Sequence, residues 1–262
     1  MVDRRSKPVF SVVTVTRNDL DGLIRTSDSV EDQRYDRVQH VVVDASTQES
    51  TRNWLKADGV NAWREWVSEP DRGIYDGMNK GIRLAKGDIV VFMNSGDTFT
   101  DSEVLPFVAD QWQSAEWEWG YGAARIVDRY ERVIYGHMPL NLPPSKFSQG
   151  LSTIPHQSTF MSLPLIRGLG GFKEDCGTIA DQDLMLRAMI RQSPARWVRF
   201  LSDYRLGGAS SNVTAIKKEF LWRRMRKSNG LLVGGNRTID LVATFGLAAY
   251  RQGRSWTKGA SG

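Results

Sequence analysis

Three short runs of apolar, largely β-branched residues stand out in the first hundred positions: FSVVTVT (Phe10–Thr16), VQHVVVD (Val38–Asp44) and DIVVFMN (residues 88–94). None has helical spacing, and short apolar runs of this kind bounded by turn residues predict buried parallel strands. Between them the period changes. Ile74, Met78, Ile82 and Ala85 fall on one helical face, which predicts a helix over residues 74–86 with Gly87 as its C′ residue. Strand, helix and strand in alternation predict an α/β architecture around a parallel sheet with right-handed crossovers.

Beyond Asp97 the regularity fades through a Trp-rich stretch, WEWGYGAARIV, and a loop-like MPLNLPPSKFSQG. It returns with HQSTFMS, read as a strand, and ADQDLMLRAMIR, read as a helix carrying Leu184, Leu186, Ala188 and Met189. No internal repeat or low-complexity segment interrupts the chain. Near LGGASSN (residues 206–212) the composition turns basic, and this predicts a body over residues 8–210 followed by a basic helical extension over 211–262.

Charge sharpens that division. The whole chain of 262 residues carries +5, yet from Lys217 onward ten Lys and Arg face only Glu219 and Asp240, a surplus of eight that leaves the rest at −3. A mildly acidic body is a poor nucleic-acid platform, so no nucleic-acid partner is expected. The single cysteine, Cys176, has no intrachain partner to oxidise with. The segment MVDRRSKPVF has no apolar leader core, and no stretch has the apolar length of a spanning helix, which together predict a cytoplasmic location.

The strand ends hold the polar chemistry. The first run ends in Thr16-Arg17-Asn18-Asp19, the second in Asp44-Ala45-Ser46-Thr47 and the third in Asn94-Ser95-Gly96-Asp97. In open α/β sheets ligands sit at such carboxyl ends, and an acid after the second strand can accept hydrogen bonds from a nucleoside. Asp44 could equally cap the next helix. Neither GxGxxG after the first strand nor GxxxxGK(S/T) anywhere offers a phosphate cradle. A nucleotide here would need its phosphates neutralised by another means, and a divalent cation held by Asp97 would serve.

In order and spacing, FSVVTVTRN, HVVVDASTQEST, SEPDRGIYDGMNKGIRLAKGDIVVFMNSGDTF, PHQSTFM and IADQDLMLRAM resemble the inverting family 2 glycosyltransferases of GT-A fold. Within that family the chain is most similar to the branch that builds bacterial exopolysaccharides, such as the colanic acid transferases. The resemblance implies a Rossmann-like, mostly parallel sheet flanked by helices. It also implies a nucleotide-diphospho-sugar donor, with UDP-sugar the first expectation and GDP-sugar the second, and a glycan or lipid-linked acceptor. The family's nucleoside contacts fall on Thr16, Arg17 and Asp44, and its DxD metal motif on Ser95-Gly96-Asp97 beside Asn94. Asp97, the one acid of that motif here, is then the protein ligand to Mg2+ or Mn2+.

The family's catalytic base falls on Asp181, which would take the proton of the acceptor hydroxyl as it attacks the anomeric carbon. Taken without the resemblance, Asp181 could merely cap its helix. Asp183 is read as a supporting or acceptor-binding residue. Asp71 and Arg72, ahead of a helix start, could face the donor sugar or diphosphate, or lie in a solvated turn. His156 could meet the acceptor or the metal, or be a hydrogen-bonded core histidine. Trp117, Trp119 and Tyr121 are read as packing at a sheet edge in preference to stacking on a sugar.

Two further expectations concern the whole molecule. KKEFLWRRMRKSNGLLVGG sets Lys217, Lys218, Arg223, Arg224, Arg226 and Lys227 around Phe220, Leu221, Trp222 and Met225. That pattern fits a helix lying at a membrane surface, or one packing its apolar strip on the body or on a second subunit. A degenerate GT-A domain that binds nucleotide-sugars without transferring them is the alternative to catalysis, and the presence of both Asp97 and Asp181 speaks against it.

Overall fold

The computed structural model describes residues 6–58, 63–205 and 214–259, with side chains to residue 251. In chain order the elements are β1 (Phe10–Thr16), α1 (Leu20–Glu31), β2 (Val38–Asp44), α2 (Glu49–Asp58), β3 (Arg64–Ser68), α3 (Ile74–Leu84), β4 (Ile89–Phe92) and β5 (Thr98–Phe99). There follow α4 (Val104–Ser114), β6 (Trp119–Val127), β7 (Val133–His137), α5 (Pro144–Phe147), β8 (Thr159–Ser162) and α6 (Leu163–Gly168). The last are α7 (Ala180–Arg191), β9 (Ala195–Arg205), α8 (Ala215–Ser228) and α9 (Arg237–Gly259).

The described residues form two compact units. The first takes in residues 1–139, 154–172 and 192–206, and contains every described strand. Its sheet runs β3-β2-β1-β4-β8-β6-β9-β5, with β7 beside β6. Strands β3, β2, β1 and β4 are mutually parallel, as the alternation of apolar runs and helices requires. β8 then pairs antiparallel to both β4 and β6. Because β1 is buried at every position, it reads as an unbroken apolar run rather than an alternating one. A core of Phe10, Val12, Ile89, Val91, Phe160, Trp112, Trp117 and Trp197 lies against the sheet.

Two expectations change here. Helix α3 starts where predicted but ends at Leu84, because Ala85 turns extended. Gly87 is therefore not its C′ residue. It lets the chain pass close to β1, where a Cβ would meet the Val9 carbonyl oxygen at 2.5 Å and the Ser11 nitrogen at 2.8 Å. The run HQSTFMS is a strand only from Thr159, since His156–Ser158 form one 3-10 turn. Trp117, Trp119 and Tyr121 are all buried, Trp119 stacking on Tyr121 at 5.9 Å, so they pack the interior and offer no face to a sugar.

The second unit comprises residues 140–153, 173–191 and 207–262. Its centre is ionic. Arg226 of α8, fully buried, pairs with Asp240 of α9 at 2.7 Å and lies 3.6 Å from Glu219, while Arg251 also pairs with Glu219. Arg226 further donates to Thr244 Oγ1 at 2.9 Å. Trp222 and Met225 are buried beside it, Trp222 meeting Phe147 edge-on. The apolar set read on the tail is thus divided: Trp222 and Met225 pack inward, whereas Phe220 stays exposed. Of the six cations read around it, Arg226 is interior, Arg223 pairs with Asp240 and Arg224 with Asp175.

Candidate functional site

Three strand ends of the first unit are tied into one rim. Asn18, in the left-handed region at φ 55°, accepts at its side-chain oxygen from the Thr47 amide at 2.9 Å, and its own amide donates to Ser46 Oγ at 2.8 Å. The loops after β1 and β2 are thereby clasped together. The turn after β4 joins them. Ser95 N donates to the Val15 carbonyl at 3.1 Å, Ser95 Oγ donates to Asp19 Oδ2 at 2.8 Å, and Gly96 N donates to the Gly22 carbonyl at 3.1 Å.

Asp97, in the same turn after β4, has a buried carboxylate. Its Oδ2 accepts from Gln157 Nε2 at 2.8 Å and its Oδ1 from the Arg205 amide at 3.1 Å. Burial pushes its carboxyl up to about 6, against the opposing pull of those two hydrogen bonds and of nearby His156, while Asp19 adds to the rise. No Lys or Arg side chain among the described residues forms an ion pair with it. A buried carboxylate without a cation partner is costly, and a bound cation would remove that cost. Each oxygen accepts one hydrogen bond and keeps a lone pair for a ligand.

Beside it, Asn94 Nδ2 lies 3.0 Å from His156 Nε2, and Asn94 Oδ1 is buried without a hydrogen-bond partner. His156, half-buried, is thus brought next to the rim by β8 running alongside β4. Among the described residues no three His, Cys, Asp or Glu side chains converge as a metal cage. The donor set fits a Mg2+- or Mn2+-type ion held by one carboxylate and completed by phosphate oxygens and water. Ser95 stands where the motif's first acid would be, and Gly96 fills the middle position. Its φ of +95° is a conformation that side-chain-bearing residues rarely adopt, although space for a Cβ is open there.

The other expected residues are placed less uniformly. Thr16 is buried, its hydroxyl donating to the Asp19 carbonyl at 3.3 Å, whereas Arg17 is exposed at the same strand end. Asp44 is fully buried; its oxygens accept from Ser46 N at 2.9 Å and from Ser68 Oγ at 2.7 Å, so it fastens β2 to β3. Asp71 accepts from Gly73 N at 3.1 Å in a tight turn ahead of α3. Arg72, largely exposed, pairs with Asp76 at 3.0 Å and gives it a backbone hydrogen bond. That backbone bond first, then the guanidinium, holds the Asp76 carboxyl below its usual range.

In the second unit, Asp181 is half-buried in the first turn of α7, where the helix dipole favours a carboxylate. Its oxygens accept from the Gln182 amide at 2.8 Å and from Gln182 Nε2 at 3.0 Å. Asp183 is fully buried, paired with Arg187 at 2.7 Å and accepting from Asn229 at 3.0 Å. Those contacts make it a support within its own unit.

Sequence reasoning missed Gln157 and read Asp19 only as part of the polar end of the first strand. Gln157 neighbours His156 in PHQ, two adjacent polar residues just before β8. The Arg205 amide left no signal, since a backbone donor has no residue identity.

Comparison with known proteins adds the family. The model for glycosyl transferase family 2 matches residues 11–150. The chain belongs to that family. An uncharacterized glycosyltransferase of Mycobacterium tuberculosis is 36% identical over 211 residues, 79% of each chain. A PGL/p-HBAD biosynthesis glycosyltransferase of Mycobacterium bovis is 25% identical over 225 residues, covering 82% of this chain and 84% of its own. Among solved structures, S. aureus TarS in complex with UDP-GlcNAc superposes with a TM-score of 0.63 at 16% identity, over 84% of this chain. The alignment spans only 66% of that solved chain. A mannosyltransferase from Pyrobaculum calidifontis, in complex with GDP-Man and Mn2+, gives 0.63 at 17% identity over 99% of this chain and 77% of its own. These likenesses show the GT-A fold, and the family 2 chain is a glycosyltransferase.

Proposed function

We propose that this family 2 enzyme transfers a sugar, with inversion at the anomeric carbon, from a nucleotide-diphospho-sugar to a hydroxyl of a glycan or lipid-linked saccharide. The observation that carries the reading is the buried carboxylate of Asp97 in the turn after β4, which has no Lys or Arg side-chain partner among the described residues. A UDP-sugar is the first donor to test and a GDP-sugar the second, the two donor classes named in the TarS and Pyrobaculum complexes. The relatives support the reading by class, and the acceptor is proposed from the resemblance alone.

In this mechanism the rim formed by Asn18, Ser46, Ser95 and Gly96 orients the nucleotide, and Asp97 together with the donor's phosphates would hold Mg2+ or Mn2+. The ion, when bound, neutralises the charge that develops on the leaving diphosphate. Asp181 is assigned as the general base. Its carboxylate takes the acceptor hydroxyl proton while that oxygen forms its bond to the anomeric carbon, and the electrons of the breaking carbon–oxygen bond leave with the nucleoside diphosphate. Arg17 and Arg72, exposed at the first unit's loops, are assigned to the donor's anionic groups.

The test is a thermal-shift screen of UDP-, GDP- and dTDP-sugars with and without Mn2+. At a hundredfold excess over Kd one series should stabilise the protein by about 2.7 kcal/mol, roughly 5 to 10 °C for a chain of this size. Flat traces for every series in the presence of metal would remove the transferase reading.

A further inference from the structure

The second unit turns an unusual face outward. Along α9, Asp240, Thr244 and Ala248 recur at every fourth position and are buried. The opposite side of the helix carries Leu241, Val242, Phe245 and Ala249, which are exposed, Val242 at 69% and Phe245 at 51%. Phe220 of α8, 41% exposed, meets Phe245 edge-on at 5.8 Å, and Ile216 lies one turn before it and is also exposed. Two neighbouring helices thus extend one apolar patch, where a surface helix ordinarily presents polar residues.

Charge decides what could cover the patch. Glu219 and Asp240 are the only acids in residues 214–259, and both are fully buried in ion pairs with arginines. The described outward side chains of α8 and α9 are therefore apolar, neutral or cationic, with Lys217, Lys227 and Arg237 exposed and Lys218 partly so. A second copy docking through the same patch would oppose cation to cation with no acid on either helix to pair them. An anionic lipid surface supplies both what the apolar side chains and what the cations lack. Among the described residues no helix is long and apolar enough to cross a membrane, so contact would be in the plane of the interface.

We propose that the outward face of α9, with Ile216 and Phe220 of α8, docks on an anionic membrane surface, inserting Val242 and Phe245 while Lys217, Lys218 and Arg237 meet lipid phosphates. This is a different surface from the Trp222–Met225 side of α8, which is committed to the interior. It is independent of the donor chemistry and would hold the enzyme where lipid-linked acceptors lie.

The experiment is co-sedimentation of the full chain with vesicles of phosphatidylcholine alone or with one third phosphatidylglycerol, at low and high salt. Wild type should bind the anionic vesicles at low salt and be released at high salt. Val242→Asp should lower the partition coefficient about tenfold or more, and the triple change Lys217→Gln, Lys218→Gln, Arg237→Gln should remove the salt-sensitive part. Both should keep the wild-type thermal transition, because the altered side chains are exposed or, at Lys218, partly so. The single change Phe245→Ser serves as the second readout should Val242→Asp fail to fold. Indifference of the wild type to anionic vesicles at low salt overturns the proposal. So does unchanged binding by the variants, or a dimer in light scattering that Val242→Asp splits, which would give the face to a second copy.

Discussion

Gln157 donates its side-chain amide to Asp97 Oδ2 at 2.8 Å, so a residue from the turn before β8 holds the carboxylate at the end of β4. This bond favours the ionised form, in opposition to the burial that pushes the carboxyl up to about 6. For Gln157→Ala, the carboxyl should therefore titrate at higher pH still. A charge-assisted hydrogen bond is worth about 1.5–3 kcal/mol. Metal-dependent donor binding, measured by isothermal titration, should fall roughly tenfold at pH 6.5 and recover as pH is raised toward 8.5. A loss that is the same at every pH would show that Gln157 acts by shape alone.

Asp97 itself makes a prediction about stability. Its folded-state carboxyl titrates near 6 and its unfolded one near 3.8, so between these values the folded protein binds more protons than the unfolded one. Stability must then fall as pH rises through that window and level off above it. The penalty at neutral pH is about 3 kcal/mol in order of magnitude. Relative to Asp97→Asn, which lacks the charge, metal-free wild type should lose stability from pH 4 to 6.5, and saturating Mn2+ should restore it. Urea denaturation of both proteins across this range is the measurement. A constant difference would mean that Asp97 is not a desolvated carboxylate.

For Asp181→Asn, the shape and the bonds within the first turn of α7 are largely kept while the base is lost. Donor affinity and the thermal transition should be unchanged, and transfer should drop by ~10² to 10⁴. Near-normal turnover would move the base elsewhere.

The ionic centre of the second unit is a stability device whose parts depend on one another. Arg226→Leu would leave Glu219 and Asp240 buried without their shared guanidinium, at a cost of about 3–5 kcal/mol. Replacing Arg226, Glu219 and Asp240 together by apolar residues should cost far less than the single change. Equal losses by denaturant titration would show that the network contributes only packing.

Much of the first unit was legible because β1, β4 and most of β2 are buried on both faces. A residue in β1 or β2 has no solvent-facing partner to interrupt the run, so the apolar stretches of Phe10–Thr16 and Val38–Asp44 end where the strands end. The turn at His156–Ser158 was not legible, since a single 3-10 turn before a strand leaves the same few residues as a longer strand would. Gly87 shows a related limit. Glycine serves both helix ends and close chain crossings, and only the distance to Val9 and Ser11 separates the two uses. In the site, the polar strand ends could be read from Asn94, Ser95 and Asp97, but their partners could not. Asp19, Gln157 and the Arg205 amide reach the rim from other parts of the chain, and no local period records such pairings. The tail misled for a similar reason: Arg226 looks like any other cation in KKEFLWRRMRK until Asp240, fourteen positions later, is found against it.

The two donors to Asp97 lie 60 and 108 residues after it in the chain. During synthesis the carboxylate therefore emerges long before its surroundings exist. At about 5–20 residues per second, the Arg205 amide follows Asp97 by roughly 5 to 20 s. Until then the carboxylate lacks at least one of the two donors that hold it in the folded protein. The nascent chain should pass most of its elongation unable to sequester the cell's sugar nucleotides, and ribosome-bound chains arrested before residue 205 should show no metal-dependent nucleotide retention.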